Sequence, residues 1–163
     1  MIFLTVGTQL GFDRLVRAVD HWCASRRQIE VFGQIGSSGY QPTHFPAVEW
    51  MDRAACTERL RASEAVVSHA GMGTIMQCQD EDKPLLVLPR RASLGECINQ
   101  HQVSMARKLD RLGLIQVAYD EGELPDKLDC LLERSPTFHA RDCCAGLIAR
   151  IGAYIADMDC YKC

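Results

Sequence analysis

The sequence contains no stretch able to cross a bilayer: an apolar run such as Leu85-Leu86-Val87-Leu88 falls far short of the ~20 residues required. Its start, MIFLTVGT, has no basic segment of the kind that opens an export signal, so the expected location is the cytoplasm. Neither sign of charge dominates. Eighteen basic against 21 acidic residues leave a net charge of −3, which gives no bulk attraction to nucleic acid or to anionic lipid. At 163 residues the chain reads as one domain, 1–163, because a complete two-domain cofactor enzyme needs roughly 250. Internal repeats and low-complexity tracts are missing too. Cysteine is the exception, with nine residues, but the odd count and the absence of an export signal read as reduced thiols.

Several signatures of nucleotide and metal chemistry are likewise absent. Gly7 to Gly11 does not supply the G-x-G-x-x-G of a dinucleotide fold, and no Gly-Lys-Ser/Thr marks a Walker loop. Cys144 and Arg150 have the interval of a thiol phosphatase but lie in an amphipathic stretch without a glycine cradle. Cys160 and Cys163 have a metal-ligand interval, with Cys143-Cys144 upstream, yet zinc sites pair two such hooks at defined spacing, so no metal is expected. His21, His44 and His139 have no partner pattern and read as surface residues.

What is present is an alternation of strand and helix signals. Ile2–Val6, Ile29–Phe32, Val48–Trp50, Ala65–Ser68, Leu85–Leu88 and Leu114–Val117 read as strands. Helices are expected after Phe12, over Arg53–Ser63, after Thr74 with Ile75, Met76 and Cys78 inward, and over Cys97–Leu112 with Ile98, Val103, Met105, Ala106 and Leu109 inward. Two more are expected over Leu124–Leu132 and Phe138–Met158. The run at Leu85 has no period-2 alternation, so both its faces are buried, as in the centre of a parallel sheet. This is the pattern of an α/β fold: a Rossmann-like, mostly parallel sheet with helices on both faces.

In such a sheet ligands bind outside the carboxyl ends of the strands. Three loops qualify: Gly7 to Gly11, Gly33 to Gly39, and His69 to Thr74. At the third, Gly71 and Gly73 remove β-carbons that would hold a ligand off the backbone, and a helix start favours a phosphate, so a diphosphate suits it. The same glycines also fit a plain strand-to-helix turn. PRRASLGECINQHQ then places Arg90, Arg91, Glu96 and the cluster Asn99-Gln100-His101-Gln102 around another helix start. Amides and imidazoles there suit sugar hydroxyls, and a solvated, capped helix start fits the composition equally.

In the order FLTVGTQLGFDRLVRAVD, VFGQIGSSGYQP, VEWMD, SEAVVSHAGMGTI, KPLLVLPRR and GECINQHQ, the chain resembles the small glycosyltransferase subunits of bacterial exopolysaccharide and capsule synthesis. It is also similar to the catalytic subunit of the dolichol-pathway N-acetylglucosaminyltransferase and to the C-terminal half of the lipid II-forming peptidoglycan enzyme. The resemblance spans about residues 1 to 117. It implies the donor-binding half of a two-domain (GT-B) glycosyltransferase. His69, Ala70, Gly71, Gly73 and Thr74 match the loop that faces the diphosphate of a UDP-sugar. Trp50-Met51-Asp52 falls at the uracil-contacting segment, Met51 lying in its middle. Asn99, His101 and Gln102, with Glu96 just upstream, match residues beside the donor sugar, while Gly7, Thr8 and Gln9 match the first loop, facing the cleft. Gln77 stands where the family usually carries a ribose-binding glutamate, a departure that keeps a hydrogen-bonding group without its charge.

The resemblance further implies inverting transfer from a UDP-sugar to a lipid-linked saccharide, with no required metal or cofactor. The acceptor half would come from a membrane-associated subunit that holds this chain peripherally at the inner face of the membrane; a self-associating form is the alternative. Helices over about 138–158 are candidates for docking that subunit, and equally for packing on their own sheet. His69 is the candidate catalytic imidazole and Asp13 a weaker candidate, with a general base on the partner as the alternative. A non-catalytic UDP-sugar-binding or stabilising subunit, and a stand-alone nucleotide-binding enzyme, are the rival readings.

Overall fold

The computed structural model describes residues 1–8 and 10–133. They form six strands: β1 (Ile2–Thr5), β2 (Val31–Gln34), β3 (Ala47–Val48), β4 (Ala65–His69), β5 (Leu85–Leu88) and β6 (Gln116–Val117). Every pairing is parallel, and the order across the sheet is β3-β2-β1-β4-β5-β6. This is the order of a doubly wound Rossmann sheet, whose direction of winding reverses between β1 and β4. The helices are α1 (Asp13–Ala24), α2 (Arg53–Ala62), α3 (Met72–Asp80), α4 (His101–Arg111) and α5 (Leu124–Glu133).

Alternation along each strand divides the core into two layers. Ile2 and Leu4, Ala65 and Val67, and Leu86 and Leu88 point toward α1 and α5, meeting Leu15, Val16, Val19, Leu124 and Leu128. Phe3, Val66, Leu85 and Val87 point the other way, toward α2, α3 and α4, meeting Leu60, Ile75, Cys78 and Ala106. Covering on both faces explains why β5 is apolar at every position.

Several boundaries differ from the sequence reading, each for a physical reason. Gly33 and Gln34 belong to β2 rather than to the glycine loop after it. A β-carbon at Gly33 would stand 2.8 Å from Phe45 Cε2, so this glycine admits a neighbouring ring instead of making a turn. The third strand is Ala47–Val48, one residue earlier and shorter than expected. Met76 lies on the outer face of α3 and is exposed, while Ile75 and Cys78 are buried as expected. The fourth helix starts at His101, not Cys97, and Ile98 is 99% exposed instead of inward. Gly95, at φ +71°, breaks the chain direction there, and Glu96 is tied to Arg14 by two bonds of 2.6 and 2.8 Å. The expected helix over 138–158, together with His139, Cys143, Cys144, Cys160 and Cys163, lies outside the described residues.

The long connection between β2 and β3 is anchored by a carboxylate with no exposed surface. Asp20, on α1, accepts bonds from Tyr40 Oη (2.6 Å), Thr43 N (3.0 Å) and His44 N (2.8 Å). Burial alone would raise its pKa, but the hydrogen bonds from Tyr40, His44 and Thr43 outweigh it and hold the group below the usual carboxylate range. The stabilisation is therefore complete above the unfolded value of 3.8 and is lost as pH falls below it. Asp20→Asn should cost about 2 kcal/mol at neutral pH, with the gap to wild type shrinking in acid. Urea unfolding at stepped pH checks this, and a gap independent of pH contradicts it.

Candidate functional site

A cavity of about 830 Å³ opens outside the carboxyl ends of β1 and β4, where the winding reverses. The loop after β1 supplies Gly7 and Thr8, and β2 ends there in Gln34. Trp50 and Met51 come from the segment before α2. His69, Gly71, Gly73, Thr74 and Gln77 come from the end of β4 and from α3, and Asn99, His101 and Gln102 from the start of α4. The sheet order thus brings together segments that the sequence holds far apart. Of the residues singled out in the sequence, Asp13, Asp52, Ala70, Arg91, Glu96 and Gln100 do not line the cavity, and Gln9 lies outside the described residues.

The imidazole of His69 sits in a slot between two glycines. A β-carbon at Gly7 would stand 2.7 Å from its Cε1, and one at Gly71 2.3 Å from its Nε2. Gly7 also has φ +81°, in the left-handed region. Gly71, expected to clear space for a ligand, therefore clears space for this ring. Burial and then the Arg90 guanidinium push the imidazole down to about 4, against a hydrogen bond to the Thr5 carbonyl that pulls the other way. The ring is neutral at physiological pH, and such a value suits a hydrogen-bonding group better than a general base. Ser68 Oγ lies 3.2 Å from Nδ1.

Gly73 is different. A β-carbon there would meet nothing within 4 Å. It lies in the first turn of α3, whose N-cap, Gly71, offers no side-chain bond. The N–H groups of Met72, Gly73 and Thr74 make no hydrogen bond to the described residues. An uncapped helix start on a cavity wall presents free donors and a positive dipole end to an anion.

The walls are fixed by side chains whose roles the sequence did not reveal. Arg90 is buried rather than solvated, and its guanidinium donates to the carbonyls of Val6 (3.0 Å), Leu10 (2.8 Å) and Gly11 (2.7 Å). It also stacks 4.6 Å from the centroid of Phe12. Gln34 is fully used: Oε1 accepts from Thr5 Oγ1 at 2.6 Å, and Nε2 donates to the carbonyls of Gly7 and Glu49. Glu96 faces Arg14 and the Arg91 N–H (2.8 Å), so it braces the loop instead of facing a ligand. Arg91 donates to the Tyr119 carbonyl, outside the cavity. Asp13 holds Ser38 Oγ (2.5 Å) and Gly39 N (2.9 Å), and Asp52 caps α2 at Ala55 N (2.8 Å). Each of these pairs joins residues remote in sequence or a turn to its cap, and only Asp52 before a helix carried a local signal for it.

The hydrogen-bonding groups left for a ligand lie on the two helix starts. Gln102 accepts from Arg90 N at 3.2 Å through Oε1, leaving its Nε2 without a partner among the described residues. Asn99 Oδ1 engages the His101 ring and its backbone N–H. Gln77 donates through Nε2 to Thr57 Oγ1 at 2.8 Å. Cys56 and Cys97 also reach the cavity; burial raises the Cys56 thiol, with Asp52 adding to the effect.

The profile of the glycosyltransferase family 28 C-terminal domain matches residues 1–147. The human UDP-N-acetylglucosamine transferase subunit ALG13 is 29% identical over 123 residues, which is 69% of this chain and 10% of the human protein. Its mouse counterpart is 30% identical over 68% of this chain and 10% of its own length. The chain thus spans about a tenth of the curated relatives it matches. Among solved structures, the ALG13 solution structure superposes with a TM-score of 0.56 at 21% identity, covering 78% of this chain and 83% of that one. Acinetobacter baumannii MurG gives 0.56 at 16% identity, covering 81% and 41%. The calicheamicin glycosyltransferase CalG4 gives 0.63 at 17%, covering 96% and 43%. The fold is that of the C-terminal half of a GT-B glycosyltransferase. With its profile matched over most of its length, the chain belongs to the glycosyltransferase family 28 C-terminal domain family.

Proposed function

We propose that the chain is the donor-binding half of an inverting glycosyltransferase. It takes a UDP-sugar, carrying a hexose, glucuronate or N-acetylhexosamine, and serves transfer to a lipid-linked saccharide in exopolysaccharide or capsule synthesis. The observation that carries the reading is the uncapped start of α3, with Gly73 bare, on the wall of a cavity at the switch point of the sheet. A diphosphate placed there meets the N–H groups of Met72, Gly73 and Thr74, with the Thr74 hydroxyl beside them. Trp50 and Met51 then face the base, Gln77 the ribose, and Asn99, His101 and Gln102 the sugar.

Transfer consists of attack by the acceptor hydroxyl on the anomeric carbon. The bond from that carbon to the diphosphate oxygen breaks, UDP leaves with the electron pair, and a base takes the hydroxyl proton. Donors at the start of α3 stabilise charge growing on the leaving group. His69, held neutral, contributes a hydrogen bond near the phosphates, and the base belongs to the acceptor half. Similarity to relatives named as UDP-N-acetylglucosamine transferase subunits supports an acceptor half on a separate subunit, which we take to be membrane-associated. So does the cavity rim, where Leu10, Trp50 and Ile98 stand in solvent, as residues awaiting a second surface do. Peripheral attachment at the inner face of the membrane follows from that subunit.

Gly73→Val tests the site. The added side chain meets no protein atom at its β-carbon, so the fold should survive, while UDP affinity measured by calorimetry should fall at least about tenfold. Wild-type affinity in a folded variant refutes the placement. If neither UDP nor the UDP-sugars of glucose, galactose, glucuronate or N-acetylglucosamine bind the unaltered chain, the donor-binding reading fails.

His69 gives a stability test. Its folded value of about 4 lies below the unfolded 6.5, so the unfolded chain takes up a proton in this window that the native site refuses. Stability should therefore fall as pH drops from 6.5 toward 4, by on the order of 2–3 kcal/mol. His69→Asn should flatten that part of the profile, and an unchanged slope in chemical unfolding contradicts the buried neutral imidazole.

A further inference from the structure

We infer that Thr57, which does not line the cavity, is a positioning residue that fixes which end of the Gln77 amide the ligand meets. Thr57 Oγ1 donates its one hydrogen to the Arg53 carbonyl, 2.9 Å away within α2. A hydroxyl whose hydrogen is spent can only accept. What it accepts is the Gln77 Nε2–H at 2.8 Å, across from α2 to α3. Turning the amide over would set its carbonyl oxygen against hydroxyl lone pairs unless Thr57 gave up its bond to the Arg53 carbonyl, so the arrangement present is the one that keeps both bonds. Gln77 Oε1 has no partner among the described residues, and Gln77 lines the cavity, so the carbonyl end is left for the ligand.

This matters because a glutamine is ambiguous where a glutamate is not. A carboxylate accepts at both oxygens, whereas an amide accepts at one end and donates at the other. The Arg53–Thr57–Gln77 chain resolves the ambiguity and turns Gln77 into an acceptor toward the cavity, a neutral replacement for a carboxylate. A group recognised there must donate, as a hydroxyl does. The inference deepens the proposed function and rests on it: the hydroxyl is one of the two on the ribose of the donor nucleotide, and Thr57 sets the preference for nucleotides that carry that hydroxyl over those that lack it.

The test compares UDP with 2′-deoxy- and 3′-deoxy-UDP by calorimetry on the full chain. Wild type should bind UDP about 3–10-fold more tightly than one of the two deoxy analogues, the loss expected for one neutral hydrogen bond. Thr57→Val, which keeps shape and removes the acceptor, should weaken UDP and leave that analogue unchanged, bringing the ratio to about one. Thr57→Ser should restore it. A ratio kept in Thr57→Val, or UDP and analogue weakened equally, overturns the positioning role, as does a wild type that binds UDP without discrimination. A wild type that binds no UDP refutes the donor-binding reading itself, so the two failures are distinct. Independently of whether Thr57→Val folds, the Gln77 side-chain NH₂ protons in the wild type should exchange with solvent more slowly than those of exposed glutamines. Equal rates contradict the hydrogen bond to Thr57.

Discussion

The cavity depends on one guanidinium. Arg90 leaves the end of β5 and reaches beneath the loop after β1, where it gathers the carbonyls of Val6, Leu10 and Gly11. Those carbonyls belong to irregular backbone that no strand partner satisfies, and a buried unpaired carbonyl costs free energy comparable to a lost hydrogen bond. By satisfying three at once, Arg90 holds the loop in one shape, with Gln34 closing it from the other side through the Gly7 carbonyl. Gly7 then makes one wall of the slot that holds His69. Burial is the larger cause of the lowered imidazole pKa, and the same cation adds to it, so Arg90 contributes to both the geometry and the protonation state of the site.

Two kinds of glycine follow from this arrangement. Gly7 and Gly71 make room for protein, while Gly73 faces open space. A glycine-rich loop therefore combines an internal scaffold with a ligand-facing surface, and spacing alone does not separate them. The division gives the helix start its character. His69 and its slot occupy one side, and the free N–H groups of α3 face the cavity on the other. Because the imidazole is neutral, an anion at the site draws its stabilisation from backbone donors and the helix end, which need no titration to be ready.

Much of the fold was legible in the sequence, and the reasons are local. Leu85–Leu88 could be read as a central strand because burial on both faces leaves no polar position. The ordering of strand, loop and helix fixed a doubly wound sheet, and a sheet of this kind fixes where its ligands bind. The positions of His69, Gly73, Gln77 and Gln102 on one cavity follow from that topology. What escaped were interactions across long sequence separations. Arg14 removes Glu96 from the site over 82 residues, and Arg90 reaches back 79 residues to Gly11. Gly33 read as a loop because a glycine that admits a neighbouring ring and a glycine that turns the chain look alike in sequence. Ile98 read as core because its spacing fitted a helix that Gly95 and the Glu96 anchor delay until His101.

The central claim is that the start of α3 grips the diphosphate of a uridine nucleotide. The most direct measurement is a backbone amide nitrogen–proton spectrum of the isotopically labelled chain, recorded while uridine diphosphate is added. The account predicts saturable shifts largest at Met72, Gly73 and Thr74, with Gln77 following and the strands on the far side of the sheet still. Shifts centred elsewhere, or none at millimolar nucleotide, would contradict it.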